Sequence, residues 1–189
     1  MTAPSDRGRR PRLPEGPAGH GAAGVGLDLV HVPGLVEQVT RPGTVFAERV
    51  FTARERREAR RRSEDTGSTE AEHLAARWAA KEAFIKAWSQ ALNTRAGGAS
   101  APVIVPDARL LAEQGVDASV VIVPDDVDWS DIEVVTDRWG RPSLRLRGAI
   151  ARAVETSLGE GSGRPGAWPV SLTHDGDWAA AIVLAVTSP

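Results

Sequence analysis

Residues 70–92 read EAEHLAARWAAKEAFIKAWSQAL, and the rest of the chain is organised around this stretch. It is rich in Ala, Glu, Lys and Arg and free of Gly and Pro, so propensity and pattern predict a helix from Glu70 to Leu92. At about 100° per residue, Leu74, Trp78, Phe84, Ile85, Trp88 and Leu92 share one broad apolar face. Glu82 and Lys86, four apart, sit at the rim of that face, and Lys81 falls near its middle. A lysine in mid-face must either snorkel out to water or meet an anion.

On the N-terminal side, Gly24-Val25-Gly26-Leu27-Asp28-Leu29-Val30-His31-Val32 alternates as a strand does. Val25, Leu27 and Leu29 read as its core side, with Asp28 on the opposite face. Gly24 and Gly26 would let another backbone or a ligand come close. Gly34 to Val50 is a weak helical segment interrupted by Arg41-Pro42-Gly43. Phe51-Thr52 then offers a cap to Arg54–Arg62, which holds six Arg and two Glu. Ser63 to Thr69 reads as a polar loop.

On the C-terminal side, Asn93 to Ala101 reads as a loop, followed by short β-like runs at Val103–Val105 and Ser119–Val123. An acidic stretch from Asp125 to Asp137 leads into Ile132–Thr136, which pairs with Ser143–Arg147 through a turn at Arg138-Trp139-Gly140-Arg141-Pro142. Gly148 to Leu158 has helical spacing, and Gly159 to Ala167 reads as a connector. Trp168–His174 and Trp178–Val186 form a hairpin around Asp175-Gly176-Asp177.

At 189 residues the chain suits one domain with a tail. The first 24 residues hold nine Pro or Gly, so residues 1–23 are expected to be disordered and 24–189 to form the domain. A formal charge of −2 argues against a dedicated nucleic-acid binder. The absence of Cys removes disulfides, thiolate metal sites and cysteine nucleophiles. The N-terminal arginines precede no apolar run, and no stretch approaches a membrane span, so a cytoplasmic protein without membrane attachment is expected.

Taken singly, the polar residues have ordinary roles open to them. Asp28 could bond to a nearby loop. Glu82 before Lys86 is the favoured order for a surface ion pair worth only ~0.3–0.5 kcal/mol. Ser171, Thr173 and His174 could be solvated hairpin residues. Taken together, one carboxylate from a strand and one from a helix, with lysines one residue before and four after the second, could bind a hard cation and a polyanion at once. Oxygen ligands suit Mg²⁺ bridging phosphate oxygens. No glycine-rich phosphate loop of the GxxxxGK[ST] type occurs.

In order and spacing these motifs resemble the holo-acyl-carrier-protein synthase branch of the 4′-phosphopantetheinyl transferase superfamily. Gly24 to Val30 is similar to that family's opening strand, with Asp28 in the place of its metal-binding aspartate. Arg49-Val50-Phe51-Thr52-Ala53-Arg54-Glu55 is similar to its FTxxE segment. Leu74 to Ala87 matches its most specific signature, (F/W)xxKExxxK, with Glu82 as second metal ligand. Gly140-Arg141-Pro142 and Ser171-Leu172-Thr173-His174 resemble its remaining blocks. His31 stands where an acidic residue is common and Gly34 where an arginine often follows. In the family that region helps form carrier-protein and subunit contacts, so the departures bear on partner choice. The segment Ala91 to Asp131 also makes the chain longer than the usual member.

The resemblance implies an α+β phosphopantetheinyl transferase fold, an antiparallel sheet packed against a long helix, assembled as a homotrimer with active sites between subunits. It implies transfer of 4′-phosphopantetheine from coenzyme A to a serine of an acyl carrier protein, for fatty acid or polyketide biosynthesis. Asp28 and Glu82 would hold Mg²⁺, while Lys86 and Lys81 would neutralise phosphate charge. Glu82, directly or through a water, would accept the serine proton. Gly140, Arg141, Pro142, Ser171 and His174 would line the coenzyme A pocket. The acidic carrier protein would dock on the Arg54–Arg62 run, which could instead be a solvated helix or a nucleic-acid patch. A catalytically silent carrier-binding module and a Mg²⁺-dependent phosphohydrolase are the competing expectations.

Overall fold

The computed structural model describes residues 21–95 and 127–187. The first segment runs β1 (Gly21–His31), α1 (Val32–Thr40), α2 (Phe46–Val50), α3 (Ala53–Thr66) and α4 (Glu70–Arg95). The second runs through a 3-10 turn (Trp129–Asp131), β2 (Ile132–Thr136), β3 (Pro142–Leu146), α5 (Gly148–Leu158), a second 3-10 turn (Pro165–Ala167), β4 (Val170–Asp175) and β5 (Trp178–Thr187). The expected α+β arrangement is present, with the strands divided between two antiparallel sheets. One has the order β1-β5-β4 and packs on α4; the other is the β2–β3 hairpin.

Helix α4 is the axis of the molecule. Besides Leu74, Phe84, Trp88 and Leu92, it buries Ala75, Ala76, Ala79, Ala80, Ala83, Ala87 and Ala91, while Trp78 and Ile85 are only half-buried. The apolar face read from the sequence is therefore too narrow, because the alanines form a second face that packs against the sheet. Strand β1 is inverted relative to the expectation: Gly24, Gly26, Asp28 and Val30 face α4, and Val25, Leu27 and Leu29 are 44%, 64% and 59% exposed. The alternation is real, but the glycines admit the helix on their own side, which turns the larger apolar residues outward.

The Arg-rich helix begins with a capping box, in which Thr52 accepts from the Glu55 N–H and Glu55 accepts from the Thr52 N–H. It continues through the expected loop to Thr66 and stops at Gly67, whose φ is 75°. Ser63 and Thr66 do not break it because their hydroxyls donate back to the carbonyls of Arg60 and Arg62. The expected pairing of Ile132–Thr136 with Ser143–Arg147 is observed one residue shifted, with Pro142–Leu146 as the partner strand and Pro142 in it rather than in the turn. The helix after it and the final hairpin are also present, with Gly176 at φ 55°. β1 begins at Gly21, three residues before the sequence-based start. Of the tail expected over residues 1–23, residues 21–23 belong to β1, and of the loop expected over Asn93 to Ala101, Asn93 to Arg95 continue α4; the rest of both, with the runs at Val103–Val105 and Ser119–Val123, lies outside the described residues. Among the described residues no helix is long and apolar enough to cross a membrane.

Candidate active site

Asp28 from the middle of β1 and Glu82 from the middle of α4 meet at the sheet–helix interface. Asp28 is 9% exposed, and its Oδ1 accepts a 2.6 Å bond from Lys86 Nζ. Lys86 Nζ also donates to the Leu27 carbonyl at 3.2 Å. Lys86 thus turns to the strand, and the ordinary Glu82–Lys86 surface pair is absent. The other oxygen of Asp28, Oδ2, is buried without a hydrogen-bond partner. Burial above all, then the charge of the adjacent Asp28 carboxylate, push the Glu82 carboxyl up to about 7 against the opposing pull of Lys86.

These observations have one physical meaning. Two ionised carboxylates are acceptors only, so they can lie together only with a proton or a cation between them. One lysine balances one of the two charges, which leaves an orphaned oxygen and a strained second carboxylate. That donor set suits a small hard divalent cation. No group of three or more metal-ligating side chains exists among the described residues, and Mg²⁺ commonly takes one or two carboxylates and completes its sphere with water and phosphate oxygens.

Lys81 is not part of this pair. Its side chain is fully buried, and Nζ donates to Val50 O at 2.6 Å, Glu55 Oε2 at 3.0 Å and Trp129 O at 2.9 Å. The anion that a mid-face lysine requires is Glu55, and with all three protons committed inside the fold no donor is left for a coenzyme phosphate. The expectation that Lys81 binds coenzyme is corrected accordingly. Glu55, read from sequence only as part of a motif, also accepts from the Val134 N–H at 2.9 Å.

The residues expected to line a nucleotide pocket gather elsewhere. His174 lies near Glu72, at 3.6 Å, and edge-on to His73 at a ring separation of 5.2 Å. Burial first, then the charges of His174, Arg77 and Arg62, hold the His73 imidazole below its usual range. Arg62 also packs against Gly140 at the β2–β3 turn, where a side chain would lie 2.8 Å from its guanidinium. Asp137 braces that turn by accepting from the N–H groups of Trp139 and Arg141 and from Arg141 Nε. His174 therefore borders the N-terminal end of α4, and the Gly140-Arg141-Pro142 turn borders α3 through the contact of Gly140 with Arg62. Ser171 points to the opposite, outer face of the sheet from His174.

Helix rise and strand spacing place this group away from Asp28 and Glu82. Glu72 precedes Glu82 by ten residues, about 15 Å along a helix axis. His174 is two strands across and two residues along from Asp28, about 12 Å at usual sheet spacings. One chain presents a carboxylate–lysine centre and a separate basic border. His31 sits at the start of α1 with its ring 4.9 Å from Trp178, and its side chain makes no cap.

Comparison with known proteins adds an independent line. The model for the 4′-phosphopantetheinyl transferase superfamily matches residues 24–112. The holo-[acyl-carrier-protein] synthase of Mycobacterium tuberculosis (strain ATCC 25618 / H37Rv) is 46% identical over 164 residues, 87% of this chain and 96% of its own. That of Corynebacterium glutamicum (strain R) is 43% identical over 157 residues, 83% and 93% of the two chains. The Chronobacterium ammoniagenes ACPS-CoA complex aligns with a TM-score of 0.65 and 41% identity over 87% of this chain and 96% of that one.

Proposed function

Because the chain belongs to the holo-[acyl-carrier-protein] synthase family of 4′-phosphopantetheinyl transferases, we propose that it transfers 4′-phosphopantetheine from coenzyme A to a serine hydroxyl of an acyl carrier protein, releasing adenosine 3′,5′-bisphosphate. The observation that carries this reading is the meeting of Asp28 and Glu82 beside Lys86. A serine oxygen must attack a phosphorus surrounded by negative oxygens, and the departing nucleotide must accept charge. Lys86, whose side chain is 54% exposed while its ammonium is anchored on Asp28, is placed to meet those phosphate oxygens. Glu82 would receive the serine proton through a bridging water, since a carboxylate that also holds a divalent ion is a poor direct base. Asp28 and Glu82 would hold a Mg²⁺ ion, which would supply Lewis-acid stabilisation of phosphate charge.

Two surfaces support the wider assembly in this reading. Val25, Leu27, Leu29 and Ile182 form an exposed apolar strip on the outer side of the β1–β5 pair, which suits contact between copies of the chain. A homotrimer covering that strip would bring the basic border of one chain, with Gly140, Arg141, Pro142 and His174, to the Asp28–Glu82 centre of the next, with Ser171 at the covered face. On α3, Arg56, Arg60, Arg61 and Arg62 have carboxylate partners, whereas exposed Arg54 and Arg57 have none among the described residues. These two are the residues of the basic run best suited to an acidic carrier protein. The product serves fatty acid or polyketide synthesis in the cytoplasm.

Intact-protein mass spectrometry of purified apo carrier proteins incubated with this chain, coenzyme A and Mg²⁺ tests the reading. The expected result is the mass gain of one phosphopantetheinyl group on at least one carrier. Cleavage of coenzyme A at the same rate without any carrier would replace the transferase by a phosphohydrolase, and carrier binding without mass gain would leave only a docking module.

A further inference from the structure

The Lys81 ammonium and the Glu55 carboxylate form an ion pair in which both side chains are fully buried, and the transfer outlined above uses neither. Several segments converge on the pair. Lys81 Nζ joins the C-terminal carbonyl of α2 (Val50) and the 3-10 turn before β2 (Trp129), while Glu55 holds the N-terminus of α3 and the Val134 N–H of β2. Burial lowers the Lys81 pKa, with the adjacent Glu55 acting in the opposite direction. Such a pair is costly to desolvate, so its presence does not argue for stability by itself. Its bonds are directional, and they hold α4 on the side away from β1, where Lys86 holds it on the sheet side through Asp28 and the Leu27 carbonyl. On the sheet side, α4 presents Ala83, Ala87 and Ala91 to the bare backbone of Gly24 and Gly26, a close contact that sets the distance between helix and strand. Consecutive residues in a helix diverge by about 100°, so fixing the azimuth of Lys81 fixes that of Glu82.

We propose that Lys81 is a positioning residue: by tying α4 to Glu55, Val50 and Trp129 it sets the rotation of the helix that holds the Glu82 carboxylate against Asp28. The inference rests on Asp28 and Glu82 being the centre of transfer. Lys81 itself touches no substrate.

The test uses the full chain and two variants, Lys81→Met and the double variant Glu55→Gln/Lys81→Met. Thermal midpoint, transfer kinetics and Mn²⁺ binding without coenzyme are measured for each. Lys81→Met leaves Glu55 buried without its counter-charge and is expected to unfold at lower temperature, or not to fold. The double variant removes both charges and is expected to fold with a midpoint above that of Lys81→Met and below wild type, since the Val50 and Trp129 carbonyls lose their donor and a glutamine in place of Glu55 can accept only one of the two N–H bonds made to it. Its kcat should nevertheless fall about ten- to a hundredfold and its Mn²⁺ affinity by a similar factor, as when groups that orient metal ligands are removed. KM for coenzyme A should stay within about twofold, since Lys81 contacts no coenzyme. A double variant with wild-type kcat and Mn²⁺ affinity would overturn the proposal. So would one that fails to fold, which would make the pair a requirement of folding alone, or one with a strongly raised KM at unchanged kcat. Mn²⁺ binding needs no carrier protein, so failure of the transferase reading would show separately, as wild-type protein that binds the ion and transfers nothing.

Discussion

Gly26 faces the backbone of Ala83 with no room for a side chain: a methyl group on Gly26 would lie 1.8 Å from the Ala83 carbonyl oxygen and 2.6 Å from the Ala87 nitrogen. Gly24 stands in the same relation to Ala87, at 2.3 Å. These two contacts let α4 rest directly on β1. Asp28, two residues further along the same face, is thereby brought to Glu82, one residue before Ala83.

Gly26→Ala should therefore damage the site as well as the fold. The clash is with backbone, which cannot swing aside, so a loss of about 1–3 kcal/mol or more is expected in urea denaturation. The folded fraction should also lose divalent-ion affinity, because the strand and helix must separate. Wild-type ion affinity in this variant would show that the close approach does not set the Asp28–Glu82 geometry.

The carboxylate pair predicts a pH dependence of stability in EDTA. Glu82 titrates at about 7 in the folded chain against an ordinary value of 4.5, so between these values the folded state keeps a proton that the unfolded chain has released. Its stabilising contribution is complete below about pH 4.5 and is lost as pH rises through about 7. The thermal midpoint should fall across that window, Mg²⁺ should restore it at pH 8 by binding the folded state, and Glu82→Gln should abolish both effects. His73, held below its usual range, contributes the opposite slope to both proteins, so a wild-type midpoint that does not fall relative to that of Glu82→Gln between pH 5 and pH 8 would contradict the assignment.

Arg57→Glu should raise KM for the carrier protein and weaken its dependence on salt, while KM for coenzyme A stays unchanged. Arg57 is exposed and free of ion pairs among the described residues, so this variant breaks no internal contact. Arg61→Glu is the informative contrast, because Arg61 already bonds to Glu58 at 2.8 Å, and its loss should affect the stability of α3 more than docking.

Leu27→Arg places a charge on the outer apolar strip, where Leu27 is 64% exposed in the single chain. Sedimentation should show dissociated chains that remain folded by circular dichroism, with transfer activity lost. Mixing Glu82→Gln with His174→Ala chains should restore part of the activity if each site draws on two subunits. An unchanged assembly in Leu27→Arg would place the contact elsewhere.

The local elements are legible in the chain because their periods are strong: the alternation of β1, the alanine-rich α4 and the Asp-Gly hairpin each fix an element without help from the rest. What stays hidden depends on distant partners. Alternation in β1 shows that two faces differ but not which is covered, and here the glycine face is covered because Ala83 and Ala87 approach it. Lys81 is visibly anomalous, yet its anion is 26 residues earlier in a different helix. Lys86 is legible as a charge beside the site, whereas its choice of Asp28 over Glu82 depends on how the strand lies under the helix. The Asp28–Glu82 pair itself comes from motif order, since neither carboxylate stands out alone.

Calorimetric titration of Mn²⁺ into the wild-type chain and into Asp28→Asn and Glu82→Gln tests the shared site most directly. One ion per chain is expected in the wild type, with affinity reduced about tenfold or more, on the order typical for a lost ligand contact, in each variant. Equal binding in all three proteins would contradict the account.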